Sequence, residues 1–186
     1  MDETTLARDY AYLEKYVGID KVYLETYRDG TWVAIDHMKM IQNFFKEHGV
    51  EIAGGITTVT PPLEKDDVKR QRLFQTFCYS NEAMRTYLKK IVTYTAELFD
   101  EIILDDFFFT SCTCDDCLRE RSNLSWTEFR SKKMIDVAEN LVLKPAKLAN
   151  PSVKVTIKYP NWRESYHETG YVPKIQPSMF DKIYTG

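Results

Sequence analysis

Two adjacent carboxylates followed by a group of cysteines are the residues of this chain whose types and spacing best suggest chemistry. An apolar run, Ile102 to Leu104, leads into Asp105 and Asp106, and a C-x-C-x2-C pattern follows at residues 112–117. A short apolar run without alternation is typical of a strand buried on both faces, as in a parallel sheet. Acids at the end of such a strand are costly to desolvate unless they face a polar cavity, which in α/β folds lies at the carboxyl ends of the strands. Asp105 and Asp106 are therefore candidate catalytic residues.

Hydrolysis of a glycosidic bond is the chemistry that these carboxyl groups suggest. It requires one proton-donating acid and one ionised carboxylate on either side of the sugar. Neighbouring residues of a strand point to opposite faces, so we expect only one of Asp105 and Asp106 to face the cavity. Glu25, near the end of an earlier predicted strand, is the best candidate for a second carboxylate. The alternatives are that the two Asp are satisfied structural acids and that Glu25 pairs with Arg28.

Aromatic and basic residues at strand ends are candidate sugar contacts. Tyr27 lies two residues after Glu25 in the sequence Leu-Glu-Thr-Tyr. Lys158, Tyr159 and Trp162 lie in Lys-Tyr-Pro-Asn-Trp at residues 158–162. Tyrosine and tryptophan offer flat apolar faces with polar edges, which stacking on a pyranose requires. We predict as substrate-binding residues Tyr27, Lys158, Tyr159 and Trp162. The alternative is that Pro160 only ends the strand and that Trp162 only covers the rim of the fold.

Four cysteines form a candidate metal site. Cys78 precedes the cluster Cys112, Cys114 and Cys117, and four thiolates are the number that a closed tetrahedral zinc site needs. Such a site has no open coordination position, so zinc would be structural and would tie the loop after the acids to the start of the preceding helix. The alternatives are two disulfides, unpaired thiols, or an iron–sulfur or redox centre.

Alternating helical and extended patterns place these residues on a series of βα units. Helices are predicted at 6–17, 35–45, 81–99 and 126–141, and strands at 20–27, 50–59, 101–104, 153–158 and 181–185. This order predicts parallel strands with right-handed crossovers. Five strands cannot close an eight-stranded barrel, which needs about 250 residues. We predict a single α/β domain over residues 1–186, a partial TIM (β/α)8 barrel of about five parallel strands with alternating helices.

Local signals set the predicted boundaries of these elements. Gly18 and Gly49 follow the first two helices, and Ser80 or Asn81 is placed to cap the third. Ser125-x-x-Glu128 is a capping box for the fourth helix, which Pro145 should end or kink. The pair Pro61-Pro62 should end the second strand, ahead of a charged loop at 64–72. A Rossmann site is disfavoured because Gly54-Gly55 lies inside a strand and no G-x-G-x-x-G pattern follows a strand.

Composition excludes several functional classes. The chain has 186 residues, of which 44% are hydrophobic and 28% charged, and it shows no sign of disorder. The net charge of -3 comes from interspersed signs without a basic run, so neither nucleic acid nor a membrane is an expected partner. No signal peptide or long apolar span is present, and a periplasmic or secreted location is expected only if a leader was removed. The three histidines are not spaced as a catalytic dyad or a metal triad would be. A Ser-His-Asp hydrolase is disfavoured because the G-x-S-x-G pattern is missing.

Three segments together resemble a known family. They are Gly-Ile-Thr-Thr-Val-Thr-Pro-Pro at 55–62, Phe-Cys-Tyr-Ser-Asn-Glu-Ala-Met at 77–84, and Asp-Asp followed by Cys-Thr-Cys-Asp-Asp-Cys at 112–117. In order and spacing they resemble the glycoside hydrolase family 42 β-galactosidases and related clan members, over roughly residues 20 to 130. The resemblance implies a (β/α)8 barrel whose four cysteines bind zinc. It also implies that the family's general acid/base Glu falls on Asp106, with Asp105 in the place of the preceding Asn.

This chain departs from the family pattern in two respects. Asp is one methylene shorter than the Glu that it replaces, and the family's nucleophile lies on a later strand than those present here. We therefore predict a glycoside hydrolase with a carbohydrate substrate and structural zinc. The alternative is a non-catalytic, zinc-stapled carbohydrate-binding or degenerate barrel fragment. Open sheet edges predict association with a second copy or with the remainder of the barrel.

Overall fold

A six-stranded sheet forms the centre of the protein, which the computed structural model describes over residues 2–60 and 72–186. The strands are β1 (Lys21–Arg28), β2 (Thr31–Trp32), β3 (Glu51–Ile56), β4 (Glu101–Leu104), β5 (Lys154–Tyr159) and β6 (Lys182–Thr185). They are arranged in the order β2-β1-β3-β4-β5-β6, and all neighbours are parallel except the β1–β2 hairpin. The five predicted parallel strands are confirmed, whereas β2, with only two residues, was not predicted.

Helices connect the parallel strands. They are α1 (Glu3–Tyr16), α2 (Ile35–Glu47), α3 (Glu82–Leu98), α4 (Asp115–Arg121), α5 (Trp126–Val137), α6 (Lys144–Ala149) and α7 (Tyr166–Thr169). Short 3-10 turns lie at Leu73–Gln75, Arg163–Ser165 and Gln176–Ser178. Within the described ranges, none of these helices has the length and apolar character needed to cross a bilayer.

The capping signals confirm where α3 and α5 begin. The side chain of Asn81 accepts a hydrogen bond from the backbone N–H of Met84 at 3.1 Å, so Asn81 rather than Ser80 is the cap of α3. Ser125 and Glu128 form the reciprocal capping box of α5. These side chains satisfy N–H groups that have no partner within the helix. The starts of the helices that flank β4 are therefore set by local sequence.

Pro145 does not end the helix in which it lies. After α5 the backbone forms a π-helix over Ala138–Leu143 and continues directly into α6. Proline lacks an N–H group and crowds the carbonyl four residues earlier, and the longer hydrogen-bond spacing of a π turn accommodates such a residue. Of the two predicted outcomes, an end or a kink, an end does not occur at Pro145, because the helical backbone continues to Ala149.

The second predicted strand is shorter than expected. It enters the sheet only over Glu51–Ile56, and Val59 instead forms an isolated antiparallel bridge with Thr76. Pro61-Pro62, and the charged loop up to residue 71, lie outside the described residues. The segment 57–60 therefore leaves the sheet and delivers Thr57 to the edge where the parallel strands end.

Side chains from distant strands meet on one face of the sheet. The hydroxyl oxygens of Tyr23 in β1 and Tyr184 in β6 lie 2.7 Å apart. In a flat sheet these strands, four spacings apart, would be separated by about 19 Å. Between them, Glu101 in β4 accepts hydrogen bonds from Lys21 at 2.8 Å and Lys182 at 2.7 Å. The sheet therefore curves into an arc of a barrel, and we call these five residues the Glu101 cluster.

Two glycines of β3 allow close packing on both faces of this arc. A Cβ atom on Gly54 would lie 2.5 Å from Cγ2 of Thr95 and 2.8 Å from the ring of Phe99, so α3 packs directly against the strand. A Cβ atom on Gly55 would lie 3.3 Å from Cγ of Glu25 on the inner face. The predicted reading of Gly54-Gly55 as strand residues is thus confirmed, and Gly55 leaves room for a candidate catalytic side chain.

We expect the Glu101→Gln substitution to lower the free energy of unfolding by about 1–3 kcal/mol at pH 7. Burial raises the pKa of Glu101, but hydrogen bonds from Lys182 and Lys21 outweigh burial, and the net pKa is lowered. A lowered pKa means that the ionised group stabilises the fold above its unfolded pKa, and that this contribution is lost as pH falls through the folded pKa. The variant should therefore also lose part of the acid dependence of stability.

Urea unfolding at pH 7 and near pH 3 measures both effects. Glu51→Gln is the matched control, because the carboxylate of Glu51 is 3.9 Å from Lys21 but its side chain is 78% exposed. Exposed ion pairs contribute little, so this control should change stability by less than about 0.5 kcal/mol. Equal effects of the two substitutions would contradict a role for Glu101 in holding the arc together.

Candidate active site and metal centre

Asp105 and Asp106 lie in a turn at the carboxyl edge of the sheet. β4 ends at Leu104, and the N–H of Phe108 donates to the carbonyl of Asp105 at 3.2 Å, which closes the turn. The side chain of Asp105 contacts Thr57 beyond β3, whereas that of Asp106 lies 3.4 Å from Lys158 in β5. Because β4 ends at Leu104, the strand pleat does not extend to Asp106, and strand alternation does not decide where the carboxyl groups of this turn point.

Asp105 belongs to a connected group of four side chains. Oγ1 of Thr57 lies 2.6 Å from Oε1 of Glu25 and 2.5 Å from Oδ2 of Asp105. Arg28 donates to both carboxylate oxygens of Glu25, at 2.8 and 2.7 Å, and to Oγ1 of Thr57 at 3.2 Å. We call Glu25, Arg28, Thr57 and Asp105 the Thr57 network. The structure thus brings together two of the predicted catalytic carboxyl groups, and Glu25 also makes the expected pair with Arg28.

The electrostatic environment keeps Asp105 protonated more readily than an ordinary Asp. Burial raises its pKa to about 6, and the neighbouring charges of Asp106 and Glu25 act in the same direction. Hydrogen bonds from Thr57 and from the backbone N–H of Phe107 oppose this rise. A hydrogen bond with Glu25 raises the pKa of Arg28, so this ion pair stays charged. The site therefore combines a buried carboxyl group of raised pKa with a carboxyl group that is paired with an arginine.

Asp106 is the more accessible of the two acids. Its side chain is 33% exposed, compared with 20% for Asp105. Within residues 2–60 and 72–186, Lys158 is the one side chain that contacts its carboxylate, and the hydroxyl of Tyr171 donates to its backbone carbonyl at 2.9 Å. Asp106 therefore has free acceptor capacity facing solvent, which a substrate hydroxyl or glycosidic oxygen could use.

Two of the predicted sugar contacts are core residues. Tyr27 is 1% exposed, and its hydroxyl donates to the carbonyl of Val59 at 3.0 Å. Tyr159 is 4% exposed, and its hydroxyl lies 3.3 Å from Oε1 of Gln176. Neither ring has a free face for stacking on a sugar, so the prediction that these two tyrosines bind substrate was wrong.

Lys158 and Trp162 remain at the edge of the sheet, near the acids. Lys158 reaches Asp106, and Trp162 is half-buried with its ring centroid 5.2 Å from that of Phe109 and 5.8 Å from that of Tyr171. This aromatic group borders the turn that carries the two acids. Sequence reasoning did not identify Thr57, although its position at the end of a predicted strand was a signal.

The four cysteines form a compact cluster. Sγ of Cys78 lies 3.7 Å from that of Cys114 and 3.6 Å from that of Cys117, and the latter two are 3.8 Å apart. With Cys112 included, all four Sγ atoms lie within 4.8 Å of one another, and none forms a disulfide. Four sulfurs bound to one ion at 2.3 Å would be about 3.8 Å apart, whereas disulfide sulfurs are separated by about 2.05 Å. This arrangement can hold a tetrahedral metal ion.

The surroundings of the cluster suit a negatively charged centre. Hydrogen bonds from Cys117 and Cys78 lower the pKa of the Cys112 thiol, whereas hydrogen bonds with Cys112 raise the pKa of those two thiols. Arg130 is buried beside the cluster, donates to the carbonyls of Glu168 and Ser111, and lies over the ring of Trp126. Burial lowers the pKa of Arg130, and the charges of Cys117 and Cys112 oppose that effect. A guanidinium group therefore compensates thiolate charge where hydration is weak.

The curved parallel sheet defines part of an α/β barrel, and the carboxyl groups lie at the carboxyl ends of its strands, where the active sites of such barrels are found. The chain belongs to the family described as "Probable glycosyl hydrolase, catalytic domain", whose sequence profile matches residues 1–186. It is also 32% identical, over 92% of its length, to an uncharacterized protein of Saccharolobus solfataricus. The family confirms the predicted glycosyl hydrolase class.

Solved glycosidases share the fold. A β-galactosidase from Rahnella sp. R3 matches 98% of this chain with a TM-score of 0.70 and 12% identity. An α-L-fucosidase isoenzyme 2 from Paenibacillus thiaminolyticus matches 81% with a TM-score of 0.53 and 11% identity. The chain covers 32% of the Saccharolobus protein, 36% of the β-galactosidase and 28% of the fucosidase. It therefore corresponds to about a third of its relatives, and the match in structure supports the barrel fold.

Proposed function

We propose that this chain carries the acid/base part of a glycoside hydrolase active site, with Asp106 as the carboxyl group that exchanges a proton with the glycosidic oxygen. The observation that carries this proposal is the different bonding of the two acids after β4. Both oxygens of Asp105 have partners within the protein, whereas Asp106 is a third exposed and has one side-chain partner. The family resemblance, which aligns the general acid/base with Asp106, supports the same assignment.

Glycoside hydrolysis needs a second carboxylate across the sugar, and Glu25 is the described residue that best fits this role. Arg28 donates to both of its carboxylate oxygens, and its side chain is 40% exposed at the same edge of the sheet as Asp106. A carboxylate from a part of the polypeptide beyond this chain is the competing assignment, because the relatives are about three times as long. Lys158 and Trp162 are the proposed contacts to the carbohydrate substrate, as a hydrogen-bond donor and as an aromatic surface.

We further propose that zinc occupies the cysteine cluster in a structural role. Cys78, Cys112, Cys114 and Cys117 would supply four thiolates and leave no position for a catalytic water. Cys112 lies six residues after Asp106 in the chain, while Cys78 lies immediately before α3. Zinc would thus fix the loop that carries the acids to the helix that packs on β3.

The exposed edge of the arc at β6 suggests where further strands would pair with the sheet. Ile183 and Tyr184 of β6 are 41% and 39% exposed, and β6 has a strand neighbour on one side only within the described residues. We propose that further strands of the same polypeptide, or of a second copy, pair with this edge.

Hydrolysis of aryl glycosides by the complete natural polypeptide tests the proposed function. Release of the phenol from at least one glycoside, followed by NMR to identify the product anomer, would support it and distinguish retention from inversion. Saturable binding of sugars without turnover of any glycoside would instead support the non-catalytic carbohydrate-binding alternative. The observation that favours this alternative is that Glu25 is already paired with Arg28.

A further inference from the structure

The hydroxyl group of Thr57 lies between two carboxyl groups but carries only one proton. Its oxygen is 2.6 Å from Oε1 of Glu25 and 2.5 Å from Oδ2 of Asp105, so both contacts are at hydrogen-bond distance. If both carboxyl groups were ionised, one of these contacts would have no proton, and the two charges would repel across a single oxygen atom. One carboxyl group must therefore supply a second proton to the network.

The bonding of each group identifies which one keeps its proton. Glu25 receives two hydrogen bonds from Arg28, which stabilise its ionised form. Oδ1 of Asp105 accepts a hydrogen bond from the N–H of Phe107 at 3.0 Å, which leaves Oδ2, facing Thr57, to carry a proton. Hydrogen bonds then run in one direction, from Oδ2 of Asp105 to Thr57 and from Oγ1 of Thr57 to Glu25.

We propose that Thr57 is a positioning residue that couples the protonation of Asp105 to the ionisation of Glu25. Below about pH 6, where Asp105 is mainly protonated, it is a neutral hydrogen-bond donor beside Asp106 and adds no second negative charge to the turn after β4. No covalent bond changes, and one proton is retained on Asp105 for each ionised Glu25. For catalysis, the consequence is that Asp106 has no like charge beside it, and this consequence rests on the proposed function. The coupling itself does not rest on the proposed function.

The neighbouring carboxylates favour a protonated Asp105, whereas the neighbouring cations oppose it. From its own turn, Asp106 disfavours a second charge, although Lys158 partly offsets that effect. From β1, Glu25 also disfavours a second charge, while Arg28, at 3.8 Å from Oδ2, favours one. The phenols of Tyr79 and Tyr171 also face this carboxyl group, and burial raises the pKa of both, so they stay neutral.

Carbon-13 NMR titration of the aspartate side chains in the complete polypeptide tests the coupling, with Asp105→Asn used to assign the signal. The wild-type pKa of Asp105 should be about 6. Glu25→Gln should lower the pKa of Asp105 by about one unit, because the network then holds no fixed negative charge. This shift corresponds to a tenfold larger acid dissociation constant. Asp29→Asn removes a charge from the same hairpin without contact to Thr57, and should shift it by less than about 0.3 units.

A double-mutant cycle isolates the contribution of Thr57. In a Thr57→Val background, or Thr57→Ala if the valine variant does not fold, the effect of Glu25→Gln should fall to half or less. In Thr57→Ser, which keeps the hydroxyl, the effect should persist. An undiminished effect without the hydroxyl, or an ordinary pKa for Asp105 in the wild type, would overturn the proposal. The titration needs no turnover, so a protein that hydrolyses no glycoside would refute the proposed function and leave this result standing.

Discussion

Replacing Asp106 with Asn is expected to lower kcat/KM for an aryl glycoside by about 10²–10⁴-fold, the usual contribution of general acid/base catalysis. The amide cannot exchange a proton with the glycosidic oxygen, but it has almost the same size as the carboxylate. The loss should therefore appear mainly in kcat rather than in KM. Kinetics of the complete polypeptide, with folding checked by circular dichroism, measure the effect.

Asp105→Asn is the matched control, and we expect it to cost about tenfold or less. The Asn amide can donate to Oγ1 of Thr57 and its oxygen can accept from the N–H of Phe107, which reproduces the bonding of a neutral Asp105. Asp105→Leu, which removes both hydrogen bonds, should be far more damaging. The reverse ranking, a severe loss in Asp105→Asn and a mild one in Asp106→Asn, would move the acid/base role to Asp105.

The Asp105→Asn substitution should also change how the free energy of unfolding depends on pH, independently of its effect on activity. The pKa of Asp105 is raised, so this group stabilises the fold below its unfolded pKa, and that contribution is lost as pH rises through about 6. An amide has no charge to bury. Relative to wild type, the variant should therefore gain stability mainly between about pH 4 and pH 6, and the gain should stay constant above that range.

Removing one ligand from the cysteine cluster is expected to have the second large effect. Cys114→Ser should lower the free energy of unfolding by at least about 3 kcal/mol, since structural zinc contributes folding energy directly. For a domain of this size, that corresponds to a fall in Tm of about 6–12 °C. A chelator should have the same effect on the wild type and little further effect on the variant.

Elemental analysis separates a metal effect from a packing effect. About one zinc per chain in the wild type, and a large loss of zinc in Cys114→Ser, would accompany the predicted destabilisation. Ser111→Ala, a change in the same loop outside the four cysteines, should retain the metal. A stable, metal-free wild-type protein would contradict the proposed zinc site, and iron in place of zinc would support the redox alternative.

The sequence predicted the parallel strands and the main helices because each carries its own local signal. Asn81 and the pair Ser125 and Glu128 act on the helix turn that follows them, so their effect does not depend on the rest of the fold. The sequence did not decide between an end and a kink at Pro145, because the effect of proline depends on the preceding turns, which widened into a π-helix. The two-residue strand β2 exists only by pairing with β1, and no local pattern predicts it.

The candidate site was less predictable, because it depends on how strand ends meet in space. The pairing of Glu25 with Arg28 is local and was the alternative considered for Glu25, but their connection to Asp105 runs through Thr57, which follows a different strand, β3. The orientation of Asp106 required knowing where β4 ends. Tyr27 is buried and cannot contact a sugar, and the sequence did not show this because composition cannot distinguish a core tyrosine from one that contacts a sugar.

The order of the strands has a consequence for how the chain folds. Apart from the hairpin strand β2, spatial order follows chain order, so each parallel strand pairs with the one synthesised just before it. In such nearest-neighbour pairing no strand has to wait for one that is synthesised later, which permits stepwise growth of the sheet from the N-terminus during translation. The Glu101 cluster is the exception, because Lys182 and Tyr184 arrive last. We therefore expect substitutions in that cluster to accelerate unfolding while leaving the folding rate nearly unchanged.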